Sequence, residues 1–253
     1  MCRRGKEPDP RTLRESLVRS SVEELKSEAG RKAAASVTSG MRLGLGTGST
    51  VAHFLKHLGA RLACGALTDL AGVPTSIRTE KAARALRIPL GSLSELAPLD
   101  LAVDGADEVD PGLNLIKGLG GALLREKMVA QASRRFIAIV DDTKLVDRLG
   151  ERAPVPVEVV PFEFESHLGW FAAMGAEPKL REGRGGDAYR TDNGNVIIDC
   201  LFTGGIPDPA ALDRRLARRA GVVESGLFLG VAEEAIVAGA DGVRRLKRAR
   251  GST

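Results

Sequence analysis

Cysteine is scarce in this chain. Cys2, Cys64 and Cys200 are scattered and odd in number, at spacings that fit neither a disulfide framework nor a metal motif, so a reducing compartment is expected. Histidine is equally rare. His53 and His57 form an i, i+4 pair, but without the glutamate of an H-E-x-x-H motif or a nearby Cys or carboxylate ligand they read as a helix surface, and His167 stands apart. No metal site is expected. No apolar stretch reaches membrane-spanning length, and the N-terminus lacks an apolar signal core; membrane insertion and secretion are not expected, which leaves the cytoplasm. A concentrated basic stripe is also missing. The formal charge is only +4, and the basic runs (Arg3-Arg4, Arg214-Arg215, Arg218-Arg219 and Arg244 to Arg250) are terminal or helical, so nucleic acid is not an expected partner. There is no internal repeat.

What is present is an ordinary globular composition, with 253 residues, 43% hydrophobic and 28% charged. That length permits one large domain or two smaller ones. Residues 1–19 are polar, carry Pro8 and Pro10, and read as a poorly ordered extension. Ser21 and Glu24 predict a capping box for a first helix with the stripe Val22, Leu25, Ala29, Ala33 and Val37, closed by Gly40. Strands are then predicted at Met41–Leu45, Gly65–Thr68, Leu99–Val103 and Arg135–Val140, with helices between them and a short strand or turn from Leu90. This alternation implies a mostly parallel, doubly wound sheet.

The pattern changes near Gly150. Pro154–Pro161 predicts an edge-type strand, and Glu163–Met174 a helix. Asp192-Asn193-Gly194-Asn195 predicts a hairpin turn between Ala188–Thr191 and Val196–Leu201. Asp208 and Pro209 open a helix to about Ala220. Residues 149–224 thus form a small α+β unit, and 225–248 return to the first sheet with strands at Gly226–Leu229, Glu234–Gly239 and Val243–Leu246. The first domain comprises 20–148 plus 225–248.

Two stretches carry chemistry. The first is Gly44-Leu45-Gly46-Thr47-Gly48-Ser49-Thr50, a strand, a glycine turn and a helix start. Free N–H groups, the helix dipole and the hydroxyls of Thr47, Ser49 and Thr50 would suit a phosphate. It is neither G-x-G-x-x-G, since Ser49 holds the third glycine position, nor a Walker A loop, so dinucleotide and ATP readings weaken. The second is Val103-Asp104-Gly105-Ala106-Asp107-Glu108 followed by Lys117-Gly118-Leu119-Gly120-Gly121-Ala122-Leu123-Leu124-Arg125-Glu126-Lys127. Asp104 and Asp107 sit just past a buried strand, where open α/β sheets bind ligands. A lysine, a glycine turn and a helix bearing Glu126 come next. Taken singly, each feature has a plain structural explanation: Asp-Gly marks turns, and Arg-Glu-Lys is a solvated face. Taken in order, they can move protons on a small oxygenated anion. Asp141-Asp142-Thr143-Lys144 places a further lysine at a strand's carboxyl end.

With these motifs, and with Thr191-Asp192-Asn193-Gly194-Asn195 and Gly205-Ile206-Pro207-Asp208-Pro209, the chain resembles ribose-5-phosphate isomerase, type A, from about Glu23 to Leu246. The resemblance implies a Rossmann-like sheet with a ferredoxin-like lid. It implies interconversion of ribose 5-phosphate and ribulose 5-phosphate in the non-oxidative pentose phosphate pathway, no metal or organic cofactor, and a homodimer or homotetramer. It assigns Glu126 as base, Asp104 and Asp107 as acids at the sugar hydroxyls, and Lys117 beside the enediolate. Thr47, Gly48, Ser49 and Thr50 become the substrate loop; Gly105, Ala106, Gly118, Leu119 and Gly120 line the substrate; Lys144 and Lys26 become binding lysines. Three positions depart from the family pattern: Leu119 stands for a usual glycine, Leu124 for a common threonine, and Ser225 for a frequent histidine. Related sugar-phosphate deaminases, coenzyme A transferases with a glutamate nucleophile, and a non-catalytic sugar-phosphate sensor share this fold class and are the alternatives.

Overall fold

The structure is a computed structural model that describes residues 10–248 except 184, with side chains described from 22 onward. In chain order the elements are α1 (Pro10–Ala34), β1 (Arg42–Leu45), α2 (Ser49–Ala63), β2 (Ala71–Pro74), α3 (Ile77–Ala85), α4 (Leu93–Leu96), β3 (Leu101–Asp104), β4 (Glu108–Val109), β5 (Leu115–Ile116), α5 (Leu123–Gln131) and β6 (Phe136–Asp141). They continue with β7 (Val155–Val159), α6 (Ser166–Ala172), β8 (Glu177–Leu180), β9 (Val196–Leu201), α7 (Pro209–Ala217), β10 (Val222–Ser225), β11 (Leu227–Phe228), β12 (Glu234–Gly239) and β13 (Gly242–Lys247).

The six-stranded main sheet has the order β13-β12-β6-β3-β1-β2, parallel except for the β12–β13 hairpin. Apart from the exposed edge strand β13 its strands are covered on both faces, and the period-2 alternation splits their side chains between two cores. Leu101, Val103, Ile137, Ile139 and Ile236 point to the side of α1 and α2. Ala102, Phe136, Ala138, Val140 and Val237 point to the side of α5, against Val129 and Ala130. The second sheet, β10-β7-β9-β8, is antiparallel. Its βαββαβ order with α6 and α7 is the ferredoxin-like arrangement. Around it Val155, Val157, Phe171, Ile198 and Leu212 form a separate core.

Several expectations need correction. The first helix starts at Pro10 rather than at a Ser21 cap, so residues 10–19 are helical and not an extension. Leu, Arg and Glu in that stretch favour helix, and proline suits the first position; residues 1–9 lie outside the described residues. The expected stripe holds at Leu25, Ala29, Ala33 and Val37. The second strand is Ala71–Pro74, not Gly65–Thr68. Gly65, with φ 74°, ends α2 and turns the chain away, as a glycine after a helix often does. β7 is not an edge strand but lies between β10 and β9. Its proline is tolerated because Pro156 faces the chain just past the end of β10, where its carbonyl accepts from the Gly226 N–H at 2.7 Å. The Asp192–Asn195 turn forms, but the neighbour of β9 on that side is β8, Glu177–Leu180, rather than 188–191. Leu227–Phe228 leaves the main sheet and joins β5 and β4 in a third, three-stranded one. Finally, His53 and His57 lie in the seam between α1 and α2, near Glu23 at 2.9 Å and Ser27 at 3.2 Å, rather than on an open helix surface.

Chain crossings between the two domains are pinned. The buried Glu108 carboxylate accepts three backbone N–H groups, from Gly150, Arg152 and Ala153, each at 2.6 Å. On the return crossing the buried Lys127 ammonium donates to Glu224 at 2.7 Å and to the Ser225 carbonyl at 2.8 Å.

Candidate active site

β1 has β2 on one side and β3 on the other, so the sheet's topological switch point lies between β1 and β3, and ligands gather at such carboxyl ends. Both sequence motifs leave the sheet there. β1 runs into Gly46-Thr47-Gly48, and β3 ends on Asp104. The two are packed so closely that a Cβ on Gly46 would lie 2.2 Å from the Asp104 carboxyl carbon, which requires glycine at 46.

A cavity of about 280 Å³ opens at this point, lined among others by Val22, Lys26, Thr47, Gly48, Ser49, Thr50, Gly105, Ala106, Asp107, Lys117, Gly118, Gly120, Glu126, Thr143 and Lys144. Thirteen of those positions are among the residues the sequence reading singled out; Val22 and Thr143 are not. At one end Gly48 caps α2, leaving the first N–H groups of a fifteen-residue helix facing the cavity beside Lys26 and Lys144. Lys26 also pairs with Glu23 at 3.2 Å.

Thr47 contributes differently from expectation. Its backbone N–H donates to Asp104 Oδ1 at 2.9 Å, and its hydroxyl is turned inward to Thr75 and Ser76 at 2.8 Å and Thr79 at 3.1 Å. It holds the loop up from below and offers no hydroxyl to a ligand. The three supporting hydroxyls were not singled out from sequence, although Thr75-Ser76 directly follows a strand.

At the other end a hairpin of two short strands, β4 and β5, carries the chain out and back between Asp107 and Lys117. The Asp107 N–H donates to the Ile116 carbonyl at 2.8 Å and the Lys117 N–H to the Gly226 carbonyl at 2.9 Å, which fixes where both side chains emerge. The Lys117 ammonium then stands 3.1 Å from Asp104 Oδ2 and 3.4 Å from Glu126 Oε2, and donates to the Gly105 carbonyl at 2.6 Å. Lys117, Asp104 and Glu126 are only 2%, 2% and 4% exposed, so these charges sit in a largely water-free setting. The buried Phe228 ring packs against both lysines, 5.4 Å from the Lys117 nitrogen and 5.0 Å from that of Lys127.

The electrostatics follow from this crowding. Burial pushes the Glu126 carboxyl up to about 8; repulsion from Asp104 and Asp107 adds to it, and Lys117 opposes it. Burial also raises Asp104, against the pull of Lys117 and the N–H groups of Thr47 and Gly105. For Lys117, burial works against the charge, but Asp104, Glu126 and Asp107 outweigh it and raise its pKa. The trio therefore holds a cation between two carboxyl groups whose pKa values burial raises, that of Glu126 to about 8.

Asp104 and Leu119 do not line the cavity. Asp104 lies beneath it, and Leu119 points outward, 43% exposed, while its N–H donates to Asp107 Oδ2 at 2.9 Å. Its φ is not positive, so a leucine is accommodated in place of glycine; the strained positions of the turn, Gly118 (φ 106°) and Gly121 (φ 79°), are still glycines. Leu124 is half-buried on α5, and the Ser225 hydroxyl donates to Asp213 at 3.2 Å.

Comparison with known proteins agrees with this geometry. The family model for ribose 5-phosphate isomerase A (phosphoriboisomerase A) matches residues 71–242. The ribose-5-phosphate isomerase A of Roseiflexus castenholzii is 53% identical over 211 residues, covering 83% of this chain and 90% of that one. A D-ribose-5-phosphate isomerase solved in complex with phospho-erythronic acid superposes with a TM-score of 0.87 at 43% identity, over 89% of this chain and 99% of that one. The Plasmodium falciparum ribose 5-phosphate isomerase gives 0.87 at 39% identity, over 90% and 100% of the two chains. A sheet with its switch point at these motifs, an acid–lysine–acid cluster on a glycine turn, and identities of this size over almost the whole of each relative lead to one conclusion: the chain belongs to the ribose 5-phosphate isomerase A family.

Proposed function

We propose that the protein interconverts D-ribose 5-phosphate and D-ribulose 5-phosphate through a cis-enediolate, with Glu126 as the single general base. The observation that supports this most directly is the buried Glu126 carboxylate at the cavity wall, 3.4 Å from the Lys117 ammonium, where burial pushes its pKa up to about 8. An aldose–ketose shift takes a proton from the carbon beside the carbonyl and returns it one carbon away. A base must take and give that proton with equal ease, which a carboxylate poised near the working pH does. Lys117 and the N–H groups of the glycine turn are placed to neutralise the enediolate oxygens. Asp107, at the cavity wall, and Asp104, through Lys117 and Thr47, serve the sugar hydroxyls and ring opening. The α2 N-terminus with Lys26, Lys144 and Ser49 takes the phosphate and so sets which carbon meets the base.

The same proposal places the enzyme in the non-oxidative pentose phosphate pathway, in the cytoplasm, as a homodimer or homotetramer. No helix among the described residues is long and apolar enough to cross a membrane. The decisive experiment is an assay of the purified protein with ribose 5-phosphate, following ribulose 5-phosphate; no product would sink the proposal.

Two outcomes are expected from this reading. Lys144→Ala should raise KM and lower kcat for ribose 5-phosphate, because binding energy at the phosphate also seats the sugar against the base. Unphosphorylated ribose should turn over very poorly and be indifferent to the substitution; equal losses on both sugars would remove Lys144 from the phosphate site. Activity should also be unaffected by EDTA, because the Lys117 ammonium already occupies the space between Asp104 and Glu126 where a divalent ion would bind. Loss on chelation, reversed by one divalent ion, would contradict this.

A further inference from the structure

Every residue so far assigned to the chemistry belongs to the first domain, yet the glycine turn that faces the substrate is held from the second. Arg181 follows β8. Its guanidinium grips Asp199 of β9 two-pronged, with Nε donating to Oδ2 at 2.8 Å and Nη2 to Oδ1. That fork leaves Nη1 aimed across the domain boundary, where it donates to the carbonyls of Gly118 at 2.8 Å and Leu119 at 3.1 Å. Tyr189 backs the arrangement, its ring 5.8 Å from the guanidinium carbon and its hydroxyl packed where a Cβ on Gly121 would be.

The peptide plane converts these two contacts into something functional. In a trans peptide the N–H points opposite to the carbonyl. With the Gly118 carbonyl held by Arg181, the Leu119 N–H points the other way and reaches Asp107 Oδ2 at 2.9 Å. With the Leu119 carbonyl held, the Gly120 N–H is directed away from the small domain. Gly120 borders the cavity, and its N–H has no protein acceptor among the described residues. Preorganised donors of this kind stabilise developing oxyanions.

We infer that Arg181, locked by Asp199, is a positioning residue that fixes the Gly118–Gly121 turn so that the Gly120 N–H meets the enediolate oxygen and Asp107 is held beside it. This rests on the isomerase reading of the site. Arg181 touches no substrate; it acts through the turn. Lysine could not replace it, because one ammonium cannot hold the Asp199 fork and both carbonyls in fixed directions.

The test compares steady-state kinetics on ribose 5-phosphate for wild type, Glu126→Gln, Arg181→Ala and Arg181→Lys, with and without guanidinium ion below denaturing concentration. Arg181→Ala is expected to lose on the order of 10²-fold in kcat, the usual cost of one oxyanion donor, with KM within about threefold of wild type. Added guanidinium should recover about tenfold of that loss and none of the Glu126→Gln loss. A kcat within about threefold of wild type, a change confined to KM, or no recovery with guanidinium would each overturn the role. Should Arg181→Ala not fold, Arg181→Lys decides: about a tenfold kcat loss at constant KM supports positioning, and wild-type kcat refutes it. Inactive wild type would defeat both readings, whereas active wild type with a dead Glu126→Gln and an unimpaired Arg181→Ala would defeat this one alone.

Discussion

Glu126→Gln should reduce kcat by about 10²–10⁴-fold while KM changes little, since the amide keeps the shape of the side chain and removes only the proton acceptor. The pH behaviour makes the expectation specific. In the free wild-type enzyme kcat/KM should rise as the pH climbs through about 8, because the base works only when ionised. Stability should move the opposite way. The folded pKa lies above the ordinary value of 4.5, so the stability linked to this proton is fully present below pH 4.5 and lost as the pH rises through about 8. Glutamine never ionises and escapes that loss. Thermal denaturation should therefore show Glu126→Gln gaining on wild type between pH 6 and 9. A variant with near wild-type kcat, or a stability difference flat across that range, would remove Glu126 from the role of buried base.

Lys117→Met should be more damaging to the fold than any other single change in the cavity. The ammonium lies within 3.1 Å of Asp104 and 3.4 Å of Glu126, and all three groups are buried. Removing one partner of a buried ion pair typically costs about 3–5 kcal/mol, on the order of 10 °C in Tm for a chain of this size. Because Lys117 holds both carboxyls down, each pKa should climb further in its absence, and each side chain should take up a proton to escape an uncompensated charge. The defect should consequently be smaller at pH 5 than at pH 8. Turnover should fall by roughly 10²–10³-fold through loss of the cation at the enediolate. A Tm at pH 8 within about 2 °C of wild type would show that the cluster tolerates the loss of its cation, contrary to the burial argument.

How much of this could be read from the chain depends on distance along it. Asp104, Asp107, Lys117 and Glu126 fall within one short segment, and Gly48 to Thr50 within another, so their order alone signalled a site at strand ends. Strands β3, β6 and β12 were legible because both faces are buried and the residues are apolar apart from one acidic residue at an end of each. β8 was not, because its exposure alternates between outward and half-covered, and Glu-Pro-Lys-Leu carries no strand signature. β7 misled through Pro156, whose missing donor is harmless only because of where β10 stops. Thr47 misled because a hydroxyl in a phosphate-type loop looks like a ligand group until the buried trio beneath it is seen. Arg181 carried no signal at all, since its contacts are with residues some sixty positions away across a domain boundary.

The pinned crossings have a thermodynamic consequence. A two-domain enzyme whose connecting segments flex must order its site at each turnover and lose that conformational entropy every time. Here Glu108 fixes the outward segment through three N–H groups, and Lys127 fixes the return. The ordering cost is met once, during folding, and the incoming sugar phosphate encounters acids, cation and turn already in register. Such a site gains speed and forgoes adaptability: it should discriminate sharply among sugar phosphates that differ in length, because the bonds at both crossings oppose a swing of either domain around a misfit.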